Sequence, residues 1–152
     1  MHVHSAPDYI PRKLNDLELA IRARDYGLKA LLIKSHHLPT MDRAYIVSRV
    51  VKGIKVFGGL VLNIPSCGGL NVEAVRVAVK LGAKEIWMPT ISANNHVKYF
   101  KHGERGINII TSSGELVPVV EEILSIIAEN SIILGTGHLS VQEIKILVDE
   151  AK

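Results

Sequence analysis

The chain has one cysteine, Cys67, so no intrachain disulfide can form and a reducing compartment is the expectation. Aromatic residues are equally scarce, at 5%, and the lysines behind a net charge of +3 are scattered. No basic cluster interleaved with stacking rings marks a nucleic-acid surface, so no nucleic-acid partner is expected. No apolar run reaches about 18 residues, and no charged segment precedes an apolar one at the N-terminus. Neither a membrane partner nor a secretory leader is expected, and the protein reads as cytoplasmic. Low-complexity linkers are also missing, and 152 residues suit a single domain over 1–152. What is abundant is apolar: hydrophobic residues make up 47% and the mean hydropathy is +0.22. Part of that surface is expected to be buried in a homodimer or higher homo-oligomer.

The apolar residues are distributed as alternating β and α elements. A first helix is expected from Asn15 to Tyr26, with Asn15 and Glu18 as a capping box and Leu17, Ala20, Ile21 and Ala23 facing inward. Residues 29–34 are too short and too continuously apolar for a surface helix and read as a buried parallel strand. Thr40 caps a second helix reaching Lys52, with Ala44, Val47, Val50 and Val51 inward. A strand from Ile54 to Leu62 follows, and its Gly58-Gly59 pair marks a bend or a close backbone approach. Asn71 caps a helix to Leu81, and Lys84 to Met88 is a further strand. Gly27-Leu28-Lys29, Gly53-Ile54-Lys55 and Gly82-Ala83-Lys84 repeat the same transition, a helix-ending glycine just before a strand.

Between Ile91 and Val117 the pattern breaks into an insertion of loop and short hairpin, Ile107 to Thr111 with Glu115 to Val117. Pro118 opens a helix to Asn130, with Val120, Ile123, Leu124, Ile127 and Ala128 inward. Ser131 to Leu134 is a fifth strand, and Ser140 with Glu143 is a capping box for the last helix. The order implies a parallel sheet covered by helices.

Ligands of such folds sit at the carboxyl ends of strands, and that is where the histidines fall. His2 and His4 share one face of an extended backbone, while His36 and His37 follow the second strand and His138 the fifth. His2, His4, His36 and His138 are the candidate metal ligands, since imidazole suits zinc first, with nickel, iron, cobalt or manganese open. The candidate catalytic residues are Asp8 and Lys34. Asp8 reads as a general base, a partner of a ligand, or the acceptor of an Asx turn. Lys34 alternates onto the face of His36 as a cationic substrate anchor or a member of a buried ion pair. His96, in the insertion, reads as an exposed loop residue or as one folded over the pocket, His102 beside Lys101 and Glu104 as solvated, and Cys67 as buried or incidental.

The set His-Val-His-Ser-Ala-Pro-Asp, Leu-Ile-Lys-Ser-His-His, Phe-Gly-Gly-Leu-Val-Leu-Asn, Gly-Gly-Leu-Asn, Trp-Met-Pro-Thr and Thr-Gly-His-Leu-Ser spans nearly the whole chain. Taken together it resembles an uncharacterised family of amidohydrolase-like, metal-dependent TIM-barrel proteins. The resemblance implies a β/α barrel whose first-strand His-x-His matches His2 and His4 and whose fifth-strand ligand matches His138. The second strand end also looks like the polymerase-and-histidinol-phosphatase group, whose Asp-His matches Ser35-His36 or His36-His37. The relatives have about eight strands, with a further His after the sixth and an Asp after the eighth. Neither has a counterpart here, so the expected fold is an incomplete barrel of about five units. Where many members carry a bridging carboxylated lysine this chain has Trp87-Met88-Pro89, and that role does not pass to Lys34.

The function expected is a metal-dependent hydrolase acting on a C-N, ester or phosphoester bond of a small-molecule substrate. The alternative is a non-catalytic incomplete barrel, a ligand-binding or oligomeric scaffold.

Overall fold

A computed structural model describes residues 1–100 and 106–152, and His102 lies outside them. Its elements run β1 (His2–Val3), α1 (Asp16–Asp25), β2 (Ala30–Ile33), α2 (Met41–Val50), β3 (Lys55–Phe57) and β4 (Gly59–Val61). They continue with α3 (Ile64–Cys67), α4 (Val72–Lys80), β5 (Glu85–Trp87), α5 (Asn94–Phe100), α6 (Pro118–Glu129), β6 (Ile133–Gly135) and α7 (Val141–Glu150). The architecture is mixed α/β with two three-stranded parallel sheets, ordered β1-β2-β3 and β4-β5-β6. Among the described residues neither sheet closes into a barrel.

The two sheets share one extended run of chain. Its first piece, β3, pairs with β2, and its second, β4, pairs with β5 across the Gly58-Gly59 step. A Cβ at Gly58 would run into the backbone at Thr40 and Met41, and one at Gly59 into the Trp87 ring, so both glycines mark close approach. Thr40 shows what locks this step. Its hydroxyl donates to the Ile33 and Gly59 carbonyls at 2.8 and 3.1 Å and accepts from Gly59 N at 2.9 Å. It therefore ties the end of β2 to the start of β4 rather than capping α2, which starts without a side-chain cap.

Strand residues alternate between two environments, as a period of two requires. Leu31, Ile33 and Val56 pack with Ala20, Ala23, Ala44 and Val47 under α1 and α2. Leu60, Leu62, Ile86 and Met88 pack with Val75, Val120 and Ile123 under α4 and α6. The residues between them, Leu32, Val61 and Trp87, form a third cluster with Phe57 on the opposite sheet face. In register, Val61 lies beside Trp87, and Trp87 beside Gly135, whose missing side chain leaves room for the indole. A cavity of about 340 Å³, lined by Met1 and His2 on one side and Ile133 on the other, opens at the amino ends of the strands.

Several expected inward positions face solvent. Leu17, Ile21 and Val50 are exposed, because the short alanines of α1 and α2 bring those helices close and turn the larger neighbours outward. In α6, Ala128 is exposed and Ile126 is buried in its place. The break between Ile91 and Val117 is not only loop: it carries α5, and the 107–117 region is held by an antiparallel bridge, Ile110 to Leu116, and a parallel one, Ala93 to Ile107. Buried Glu143 of the second capping box accepts Ile109 N at 3.2 Å and fastens that region to α7. No helix among the described residues is long and apolar enough to cross a membrane.

Candidate functional site

His4, His36 and His138 follow the carboxyl ends of strands, and His2 at the start of β1 and His96 on α5 extend them into one row of five. Ring centres are 6.2 Å apart for His2 and His4, 4.7 Å for His4 and His36, 5.6 Å for His36 and His138, and 5.0 Å for His138 and His96. Four separate segments supply them: β1 and its end, the end of β2, the end of β6, and α5. His37 stands aside, 6.4 Å from His36, with Tyr9 against its ring and Asp8 Oδ1 3.6 Å from its Nδ1. That last separation is too long for a hydrogen bond.

Hydrogen bonds hold the His36 and His138 positions of the row. Asn63, fully buried after β4, accepts from Thr90 N and Ser92 N and donates to Thr90 Oγ1 at 2.7 Å and to the His36 carbonyl at 2.9 Å. Thr90 Oγ1 in turn lies 2.8 Å from His36 Nδ1. Thr90 Oγ1 accepts from Asn63 and pairs with His36 Nδ1, and in the tautomer with the proton on Nδ1 the Nε2 lone pair of His36 is open. His138 N donates to the Pro89 carbonyl at 3.0 Å, Asn95 Nδ2 donates to the His138 carbonyl at 3.1 Å, and the His138 ring meets His96 Nδ1 at 3.0 Å. His2 sits edge-on to Trp87 at 5.5 Å, and Lys34 Nζ lies 4.8 Å from the same ring.

The electrostatics favour uncharged imidazole. Burial, followed by the charges of Arg12 and Lys34, pushes His4 down to about 4. Burial, followed by His4 and Lys34, pushes His36 to about 3. His2 is lowered by burial and Lys34, and His138 by burial, His96 and Lys34. Lys34 itself is lowered by burial, against the attraction of Glu85. For Asp8, burial alone would raise the carboxyl, but hydrogen bonds from Arg12 and Ser35 outweigh it and hold it below the usual carboxylate range.

Asp8 is fully saturated. Its buried side chain accepts from Arg12 Nε at 2.8 Å, Arg12 Nη2 at 2.7 Å, Ser35 Oγ at 3.0 Å and its neighbour Tyr9 N at 2.8 Å. That leaves no lone pair directed at a substrate, so the geometry makes Asp8 a positioning residue. Cys67 is half-buried against the carbonyls of Val61, Asn63 and Gly69, and burial raises its thiol.

The donor chemistry fits a divalent ion, which takes neutral imidazole. Two imidazoles on one zinc at about 2.1 Å put their ring centres roughly 5 Å apart, the spacing found between His4, His36 and His138. As the side chains stand, however, no group of three or more His, Cys, Asp or Glu among the described residues forms a metal-holding set. The rings are gathered, and rotation of them would still be needed to converge their nitrogens. Asn63, Thr90 and Arg12 are members of the site that the sequence does not point to, and His96 is the residue for which folding over the pocket and plain exposure are both open in the sequence. His96 is half-buried on a helix rather than exposed in a loop.

No curated protein matches the chain. All of its residues, 1–152, match a family of unknown function, DUF6282, and the chain belongs to that family.

Proposed function

We propose that the row of histidines is the centre of a metal-dependent hydrolase of the amidohydrolase type, built on part of a β/α barrel. The observation that carries this reading is the gathering of His4, His36 and His138, all disfavouring protonation, from three strand ends within 5.6 Å of a neighbouring ring. These three would hold the ion, zinc first, with His2 at the rim. A bound divalent ion supplies a more acidic water and polarises the C-N, ester or phosphoester bond. The protein's own residues do the rest. Asn63 and Thr90 fix the His36 ring, and Asp8 fixes Ser35 and Arg12. The paired Nδ1 atoms of His138 and His96 share one proton position, the place in the site where a proton lies between two nitrogens. The cluster of Leu32, Val61 and Trp87 gives the sheet face beside His2 an apolar floor.

Metal analysis of tag-free protein tests this. About one equivalent of a divalent metal is expected in the wild type, with loss in His4→Ala, His36→Ala and His138→Ala. Stoichiometric metal missing from the wild type, or unchanged in all three variants, would overturn the reading.

A second reading, a non-catalytic ligand-binding or oligomeric scaffold, is favoured by the lack of a ready metal-holding set among the described residues. The exposed Leu17, Tyr45, Ile46 and Val50 on α1 and α2 support self-association. Light scattering over a dilution series, read alongside the metal content, separates the two.

A further inference from the structure

The outer face of α2 carries an apolar stripe that stays open to solvent. Asp42, Tyr45, Ile46, Arg49 and Val50 are exposed and recur at i, i+3, i+4, i+7 and i+8, which is one face of a helix. Tyr45, Ile46 and Val50 are 62%, 61% and 61% exposed, whereas Ala44 and Val47 on the other side reach the core. Leu17 of α1 joins the stripe around a groove of about 260 Å³ that Pro7, Ile46, Val47 and Val50 also line. The two ends of the stripe carry opposite charges. The Asp42 carboxylate accepts from the neighbouring Arg43 N at 2.8 Å, and the Arg49 guanidinium lies 5.1 Å from the centre of the Tyr45 ring and donates to its hydroxyl at 3.1 Å. Neither Asp42 nor Arg49 forms an ion pair among the described residues.

That order of charges is complementary to itself. A two-fold axis crossing α2 between Tyr45 and Ile46 sets Asp42 opposite Arg49 of the partner subunit, Arg49 opposite the partner's Asp42, and Tyr45 opposite the partner's Ile46. A parallel copy would instead set carboxylate on carboxylate and guanidinium on guanidinium. We propose that this face is an isologous interface with a second copy of the chain, in which α2 packs antiparallel on its counterpart and each Tyr45 enters the groove beside the facing isoleucine. Two ion pairs then flank an apolar centre, the arrangement of a specific interface. The proposal gives a partner and a geometry to the self-association named above and does not depend on the histidine row, to which α2 contributes no residue. Asp42 and Arg49 also suit the ends of the dipole of α2 itself, so the test separates pairing between chains from stability within one.

The test is sedimentation of the full chain over a dilution series, with thermal melts to establish that each variant is folded. The wild type is expected to be a dimer that dissociates on dilution. Asp42→Arg and Arg49→Asp each set like charges across the axis twice and should weaken association by about tenfold or more. The double reversal should recover it, and so should an equimolar mixture of the two single variants, since one chain then brings two cations to the interface and the other two carboxylates. Ile46→Asp should be monomeric, and Arg76→Asp, at an exposed position on α4, should associate as the wild type does. A role confined to the helix dipole would lower the melting temperature of each reversal, and mixing would restore nothing. A wild type that stays monomeric throughout the series, single reversals that associate like the wild type or fail to recover on mixing, or a dimer that Ile46→Asp leaves intact would overturn the proposal. Metal content of the same samples reports on the histidine row separately, so failure of the interface and failure of the metal reading are told apart.

Discussion

The Nδ1 atoms of His138 and His96 lie 3.0 Å apart although the residues are 42 positions apart in sequence. A hydrogen bond between two neutral imidazoles requires one Nδ1 to carry the proton, and the donor ring then presents a bare Nε2. With His138 as the donor, His96 fixes the tautomer that a metal ligand needs. Replacing His96 by Ala is therefore expected to weaken zinc affinity about 10–100-fold while leaving the fold intact. Competition with a chromophoric chelator measures it, and an unchanged affinity would remove His96 from the site.

Thr90 plays the corresponding part for His36. In Thr90→Val, the shape is kept but Asn63 Nδ2 and His36 Nδ1 each lose a partner in a buried setting. Leaving such groups unsatisfied costs about 1–3 kcal/mol, so the urea midpoint should fall with the slope unchanged. An unshifted midpoint would mean that the hydroxyl is not needed to hold the ring.

Much of the frame was legible because it depends on short-range chemistry. The glycines that end helices before Lys29, Lys55 and Lys84 adopt positive φ, and both capping boxes form, at Asn15 with Glu18 and at Ser140 with Glu143. His4, His36 and His138 were placed by the rule that strand ends carry function. What escaped notice depends on tertiary approach. The seven-residue α5 buries only Val97 and has no apolar stripe to announce it, so the sequence leaves His96 open between an exposed loop and the pocket. For Asp8 the readings of base, ligand partner and Asx turn stay open in the sequence, because its saturation by Arg12 and Ser35 comes partly from 27 residues away. Thr40 looked like a cap, but two strand ends compete for its hydroxyl and win.

The segment that carries His4 is anchored by a buried ion pair. Arg43 of α2 meets Asp16 at 2.8 Å through both Nε and Nη2 and donates to the Ser5 carbonyl at 3.1 Å, while Ser5 Oγ donates to Asp16. Their side chains are 12% and 9% exposed, so removing the carboxylate in Asp16→Ala strands a mostly buried guanidinium. The expected loss is about 3 kcal/mol, read by urea unfolding. Asp16→Glu should recover part of it. A loss near that of an exposed ion pair, below about 1 kcal/mol, would show that Ser5 and water suffice to hold Arg43.

Acid should unfold the metal-free protein through the same histidines that form the site. In the folded chain His4 and His36 take up protons only at about 4 and about 3, whereas the ordinary value for a histidine is 6.5. Below 6.5 the unfolded chain thus binds more protons than the folded one, and stability falls as protons are added. The stability contributed by keeping these rings neutral is complete above 6.5 and is lost progressively as the pH drops toward 4 and then 3. His2 and His138 are lowered as well and act in the same direction. Asp8, also lowered, adds its own loss only below the ordinary carboxylate value of 3.8, while Glu85, raised from 4.5 by burial, takes up its proton earlier in the folded chain and opposes the histidines in part, so the fall from 6.5 downward is driven by the histidines. In chelator-treated protein, the unfolding free energy from urea titrations should decline steadily from pH 7 to pH 5, with a slope corresponding to about two protons or more taken up on unfolding. His36→Gln should flatten that slope by about one proton. A stability that stays level between pH 7 and pH 5, or a slope untouched in His36→Gln, would mean that the rings are solvated well enough to protonate in the folded chain, and the row would then be too wet to hold neutral imidazoles together.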